Sequence, residues 1–402
     1  MFFTLFLKEC KEILRSITYY MFLLCTVLFY MTQLGSFEPI SEPVKEAFGE
    51  REEVSREEQA MKSAIGRLMV EFSANQYSTY PFGFIKEVKL SGEDQEKVGQ
   101  IVEKLTGYSP EEFILIATDM EKSNDDIQVL RSISYEEFME EMKNLDDLLG
   151  GGSYYEEDFL LRNTDFPDNY EEARKEYERV LEKDQVTGAY GRIFCDYMGI
   201  LMGILPVFLA VTRSVRDKRA KASQVIFAKK ASSFTIQASR YAANLIMIFL
   251  PLLILSTMLN SQAMYLASVL SVKGNLWYMY LYLLCWLMPT VMTSLSVGFF
   301  ITELTEGPLA ILIQGGFWFY TILAAKKLTG YVGTSLVPRF NSVGYYSIYE
   351  KMKPALISNR LGYLFISILL FALTVLVYEK KRRGGLLYDR ALLSNTKNQS
   401  KT

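Results

Sequence analysis

Six stretches of the chain are apolar over lengths that soluble helices rarely sustain: Ile17–Phe37, Ile193–Val211, Tyr241–Leu259, Leu276–Ile301, Pro308–Ala325 and Leu361–Tyr378. A helix needs about 20 mostly apolar residues to cross a hydrocarbon core roughly 30 Å thick. Each stretch meets or approaches that length, and Asp196 is the one charged side chain within them. The pattern predicts six transmembrane helices in a mainly α membrane protein.

Ahead of the first stretch, Phe2, Phe3, Leu5, Phe6, Ile13 and Leu14 alternate with Lys8, Glu9, Lys11, Glu12 and Arg15. This predicts an amphipathic helix within residues 1–16, lying in the interface with its basic side chains toward the headgroups. The competing reading is an extension of the first span. The first apolar run is longer than that of a cleaved secretory signal, and no small-residue cleavage pattern follows it. The segment is expected to be retained.

Residues 38–192, between spans 1 and 2, have a different texture. Ser55 with Glu58, Ser91 with Asp94, and Ser134 with Glu137 match a reciprocal helix-start pattern. Ser109-Pro110-Glu111-Glu112 adds proline at the first helical position. A further helix is expected from Asn169 to about Lys183, with continuation into the second span an option. Gly150-Gly151-Gly152-Ser153 reads as a flexible turn. Phe113, Ile114, Leu115, Phe138, Leu148 and Leu149 are the expected core of a mostly helical inserted domain.

Charge gives these elements an orientation. The 402-residue chain has a net charge of −3. Residues 38–192 hold 37 Asp and Glu against 18 Lys and Arg, whereas the remainder holds 9 acidic and 25 basic residues. Basic residues gather in three places: Lys8, Lys11 and Arg15; the connection from Arg213 to Arg240; and the tail opening Lys380-Lys381-Arg382-Arg383. The positive-inside rule puts all three on the cytoplasmic side. Both termini are then cytoplasmic and residues 38–192 extracellular, with spans 2–6 within 193–378 and a cytoplasmic tail from 379 to 402. The connection Lys326–Arg360 runs against this rule, carrying Lys326, Lys327, Arg339, Lys351, Lys353 and Arg360 against Glu350. Its Pro338, Pro354, Tyr345, Tyr346 and Tyr349 predict short interfacial helices.

Several chemistries lack their residues. The chain has no histidine, which excludes Ser-His-Asp triads and histidine zinc sites. Cys10, Cys25, Cys195 and Cys285 form no CxxC pair, and no phosphate-loop signature occurs. No catalytic, cofactor-binding or metal-binding residues are assigned, and the chain is not expected to be an enzyme. The basic stretch from Arg213 to Lys230 lies where lipid headgroups and partner proteins are available, so no nucleic-acid partner is expected. Its interspersed Val215, Ala222, Val225, Ile226 and Phe227 favour a docking element. Within the spans, Pro206, Pro251 and Pro289 are candidate gating bends or packing kinks. Gly199 and Gly203 permit close helix contact, and Asp196 is within reach of Arg192 one turn earlier.

The order of elements, together with Asp184-Gln-Val-Thr-Gly-Ala-Tyr-Gly-Arg, Cys195-Asp-Tyr-Met-Gly-Ile, Leu205-Pro-Val-Phe-Leu-Ala-Val-Thr-Arg and Arg216-Asp-Lys-Arg, resembles permease subunits of type-2 ABC transporters. The likeness is to sodium-exporter-like and clostridial multidrug-type permeases and covers essentially the whole chain. It implies an export permease with no cofactor of its own, ATP and Mg being held by a separate ATPase subunit. The implied partners are that ATPase, a second permease copy or paralogue, and membrane lipid. It also implies a coupling region at 212–240, with Arg213, Arg216, Asp217 and Arg219 as contacts. The turn holding Glu303 and Glu306 is the second contact. A membrane-anchored sensor or scaffold, whose outer domain binds a peptide or envelope ligand, is the alternative from another class, and a passive channel is a third.

Overall fold

A computed structural model describes residues 1–45, 56–79, 86–118, 129–157, 159–160, 170–220, 222–323, 332–339 and 343–384. Ser55, Asn169, Lys221, Lys326, Lys327 and the tail beyond Gly384 lie outside these ranges. The described chain is mainly helical and divides into two compact units. One comprises Met1–Ile40, Val180–Thr321 and Val332–Thr402; the other comprises Ser41–Arg179 and Ile322–Tyr331.

The first unit opens with α1 (Phe2–Leu14), which ends before an extended Ser16. Then comes α2 (Ile17–Leu34), a separate helix. In the second unit, α3 (Arg56–Ala74), α4 (Gly92–Thr106), α5 (Pro110–Thr118) and α6 (Tyr135–Leu148) surround an apolar core. That core includes Leu68, Phe72, Val102, Leu105, Phe113, Phe138 and Leu145. Strands β1 (Tyr77–Thr79) and β2 (Lys86–Val88) pair antiparallel, Tyr77 opposite Val88.

The helix starts in this unit follow the serine-acid pattern. Ser91 Oγ accepts from the Asp94 amide at 3.3 Å, and Ser134 Oγ from the Glu137 amide at 3.2 Å. At α5 the bonds are reciprocal: the Glu112 amide donates to Ser109 Oγ at 3.3 Å, and the Ser109 amide to Glu112 Oε2 at 2.9 Å. These bonds satisfy amides that a helix leaves without partners. The glycine run is an ordered stop for α6. Gly150, Gly151 and Gly152 all take positive φ, and the Gly151 amide bonds the Asp146 carbonyl at 2.8 Å. Two expected core residues are misplaced: Ile114 is 38% and Leu115 73% exposed. Three consecutive apolar positions on a helix cannot share one face, and Phe113 takes the inward one.

A short helix, α7 (Tyr170–Glu182), ends before Gln185 and Val186, both at positive φ, so it does not run into the next helix. From there the first unit resumes with α8 (Thr187–Met202), α9 (Leu205–Arg219), α10 (Ser223–Phe227) and α11 (Ser233–Val269). Next come α12 (Leu276–Tyr282), a widened π-type turn at Leu283–Leu287, and α13 (Met288–Thr305). It closes with α14 (Leu309–Leu323) and α15 (Tyr346–Arg382).

Among the described residues, four helices are long and apolar enough to cross a membrane: α2, α11, the continuous α12–α13 run, and α15. The α8–α9 pair makes a fifth if counted together, bent by 42°. The six expected spans are thus four or five by this measure. Helix α14 is described over 15 residues, about 22 Å.

Helix α15 corrects a second expectation. It runs unbroken for 37 residues, about 55 Å, so no separate short helices form at Tyr346, Tyr349 and Pro354. Pro354 removes the donor to the Glu350 carbonyl, and both residues lie on an exposed turn of the helix. Pro338 sits in the irregular segment 332–339.

Helix α13 packs along α15 and α9, α1 along α11, and α12 on α8. Hydroxyl-to-carbonyl bonds stitch the α13–α15 seam: Thr293 Oγ1 to Tyr363 O at 3.2 Å and Ser296 Oγ to Ser367 O at 2.9 Å. Against α9, a Cβ at Gly298 would lie 2.6 Å from Ala210 Cβ, so only glycine permits this approach.

Candidate functional site

The sequence candidates converge at one end of the first unit. Arg213, Arg216 and Asp217 occupy the last turns of α9, where three- and four-residue spacing puts them on one side. Arg213 is buried and grips Glu9 of α1 with two nitrogens, Nη2 to Oε1 at 2.6 Å and Nε to Oε2. Its Nη1 donates to Asp217 Oδ1 at 3.1 Å. The other Asp217 oxygen accepts from Arg240 Nη2 of α11, and Arg240 Nε returns to within 3.9 Å of Glu9 Oε1. Two acids and two bases thereby close a neutral ring.

A second cluster adjoins it through α11. Gln237, one turn before Arg240, donates to Glu303 Oε1 at 3.3 Å. Lys381 of α15 reaches Glu303 at 3.6 Å and Glu306 at 3.3 Å. Arg382 donates to the carbonyls of Phe227 at 2.9 Å, Ala231 at 2.6 Å and Lys229 at 2.5 Å. The end of α15 therefore holds both the connection after α9 and the turn after α13.

Arg213, Asp217 and Glu303 spend their charges on neighbours within the chain. Arg216 is partly exposed and bonds Glu12 at 3.3 Å; Glu306 is half-buried. Arg219, Val225, Lys229 and Lys230 are exposed on the connection. The sequence did not single out Glu9, Gln237 or Lys381 as site residues. Glu9 carried one legible signal, an acid on the predicted interfacial helix, but its partner lies 204 residues away.

The membrane-type candidates have definite partners. Asp196 is fully buried and pairs with Arg339 at 3.0 Å, whereas Arg192 pairs with Asp184. Arg192 reaches back two turns, to Asp184 in the segment ahead of α8. Arg360, also buried, donates to the carbonyls of Trp286, Ser335 and Leu336, each at 3.2 Å, and to Thr290 Oγ1 at 2.7 Å. Two cations of the discordant connection are thus held internally.

All three candidate prolines are buried. Pro206 lies at the α8–α9 bend. There the Ile204 amide turns to Leu201 O, while Ile200 O accepts from Trp318 Nε1 at 2.7 Å and Gly203 O from Gln314 Nε2 at 2.6 Å. Pro251 withholds a donor from Met247 O, which the Tyr19 hydroxyl supplies at 3.0 Å without breaking α11. Pro289 follows the π-type turn. The small residues Gly199 and Gly203 face Val337 and Trp318 of this same chain; a Cβ at Gly203 would meet Trp318 Cδ1 at 2.8 Å.

Among the described residues, no group of three or more His, Cys, Asp or Glu is placed to hold a metal ion. Comparison with protein-family models, curated proteins and solved structures finds no match to the chain. Its functional reading therefore stands on its residues.

Proposed function

We propose that the chain is the membrane-spanning permease subunit of an ATP-driven exporter of the type-2 ABC class, working with a separate ATPase and a second permease copy or paralogue. In this reading the chain crosses the cell membrane six times, with α14 in the fifth span. Both termini are cytoplasmic and residues 38–192 extracellular. ATP and Mg belong to the ATPase; the chain contributes the part that moves.

One observation carries the reading. The connection after α9 and the turn after α13, both expected to meet the ATPase, are held by Arg382 and Lys381 at the end of α15, with Arg240 and Gln237 tying in the ends of α9 and α13. A push on either segment is carried to α1, α9, α11, α13 and α15 by charged groups that tolerate little separation. Arg213, Asp217 and Glu303 act as internal transmitters here, and the exposed Arg219, Lys229 and Lys230 as the contacting surface.

Co-purification of the full chain with the ATPase encoded beside it tests this. Reversing Arg219, Lys229 and Lys230 to Glu is expected to abolish retention of the ATPase while the permease still inserts. Retention unchanged by the triple reversal contradicts the docking assignment. If no ATPase is retained even by the unaltered chain, the reading as a membrane-anchored sensor gains.

A further inference from the structure

Helix α1 has three sides, each with a different chemistry. Turning about 100° per residue, Leu5, Phe6, Glu9 and Ile13 fall on one side. Glu9 and Ile13 are buried there, and Leu5 and Phe6 pack against apolar clusters of the first unit. The next sector carries Phe3, Leu7 and Leu14, which are 66%, 51% and 48% exposed. The third carries Lys8, Lys11 and Arg15, all exposed.

A soluble surface helix has two faces, one inward and apolar, one outward and polar. Here a second apolar sector lies uncovered beside a cationic one. Two residues after α1 ends, the chain enters α2, one of the helices long enough to cross a membrane, so the connection holds α1 near the level where hydrocarbon meets headgroups. At that level Phe3, Leu7 and Leu14 match acyl chains, and Lys8, Lys11 and Arg15 match anionic phosphates. The helix cannot roll to choose between them. The bidentate Glu9–Arg213 contact sets its rotation, and the Arg216–Glu12 contact at 3.3 Å holds the last turn.

From this geometry we infer that α1 is a docking surface for anionic phospholipid, read through Lys8, Lys11 and Arg15 and aimed by Glu9. The anionic bilayer surface pulls on the same helix that supplies one acid of the buried ring. Lipid charge thereby loads the Glu9–Arg213 contact, and through it α9 and α11.

The inference rests on the membrane-spanning reading, and the test separates the two. The full chain is reconstituted in nanodiscs containing phosphatidylcholine and phosphatidylglycerol, and the lipid retained around it is measured. The unaltered chain is expected to enrich phosphatidylglycerol. Changing Lys8, Lys11 and Arg15 to Gln is expected to remove that preference, at roughly fivefold per cation. A fluorophore on Leu7→Cys, with the native cysteines replaced, is expected to be quenched by brominated acyl chains and sheltered from aqueous quenchers. Glu9→Gln is expected to blur this contrast by freeing the helix to roll. Undiminished enrichment in the triple variant overturns the inference, as does a Leu7 label reached from water or hidden from both quenchers by protein. Failure of the chain to enter nanodiscs at all overturns the membrane reading instead.

Discussion

The two units of this chain handle charge in opposite ways. In the second unit acids stay at the surface and work at helix starts, over a core that is almost wholly apolar. Lys104, bridging Glu137 at 3.3 Å and Glu141 at 2.7 Å, is typical, with all three side chains partly or largely exposed. Among the described residues the exception is Glu71, buried and held by the Tyr155 hydroxyl at 2.8 Å, the Ser78 amide at 3.2 Å and Arg67 at 3.1 Å. Burial, then the neighbouring carboxylate, pushes the Tyr155 hydroxyl well above its usual range, so it remains a donor. The first unit buries Arg192, Arg213, Arg240, Asp196 and Glu303, and binds each to a side chain of opposite sign. Water can solvate a misplaced surface charge; in hydrocarbon only another side chain or a carbonyl can.

The largest expected effect comes from unbalancing the ring. Glu9→Ala leaves Arg213 buried without its main acid and is expected to cost about 3–5 kcal/mol, read as lost thermal stability in detergent. Replacing Lys104 by Ala is expected to cost far less, because solvent screens that pair. Equal losses at the two sites would erase the contrast. Next in size, Tyr155→Phe removes a charge-assisted bond from Glu71 and is expected to cost about 1.5–3 kcal/mol, reported by proteolysis of the second unit.

Gly203→Ala is expected to cost about 1–3 kcal/mol, since the added methyl must displace the Trp318 ring and Val337. A shift in Trp318 fluorescence would report the displacement. Ser134→Ala should cost about 1 kcal/mol as a lost cap. The smallest effect is acid-dependent. The Ser109 amide and then its hydroxyl hold the Glu112 carboxyl below the usual range. The folded value lies below the unfolded one, so this contribution is complete above the unfolded pKa and fades as pH falls through the folded value. Ser109→Ala should therefore lower the neutral plateau of a melting profile and flatten its acid limb, the difference from the unaltered chain shrinking as pH falls.

Local features were legible in the sequence. The apolar runs located the long helices, and Ser91, Ser109 and Ser134 marked helix starts because a cap needs only residues three apart. Contacts between distant residues were not. Nothing near Asp196 pointed to Arg339, and nothing near Arg213 pointed to Glu9, since ion pairing depends on which helices become neighbours. Proline misled in a systematic way. Pro354 and the tyrosines before it read as breaks, yet a helix tolerates the missing donor where the carbonyl is exposed or finds a hydroxyl, as Tyr19 supplies beneath Pro251. The bend at Pro206 was legible as a candidate, but the donors that stabilise it, Gln314 and Trp318, were not.

The account depends most on the two ends of the long helices facing different compartments. Single cysteines at Gly150 and Arg219, in a chain otherwise free of them, can be probed in intact cells with a membrane-impermeant maleimide. Labelling at position 150 in intact cells, with position 219 reached only after permeabilisation, is the predicted result. Labelling of both from one side, or of 219 alone from outside, would contradict it.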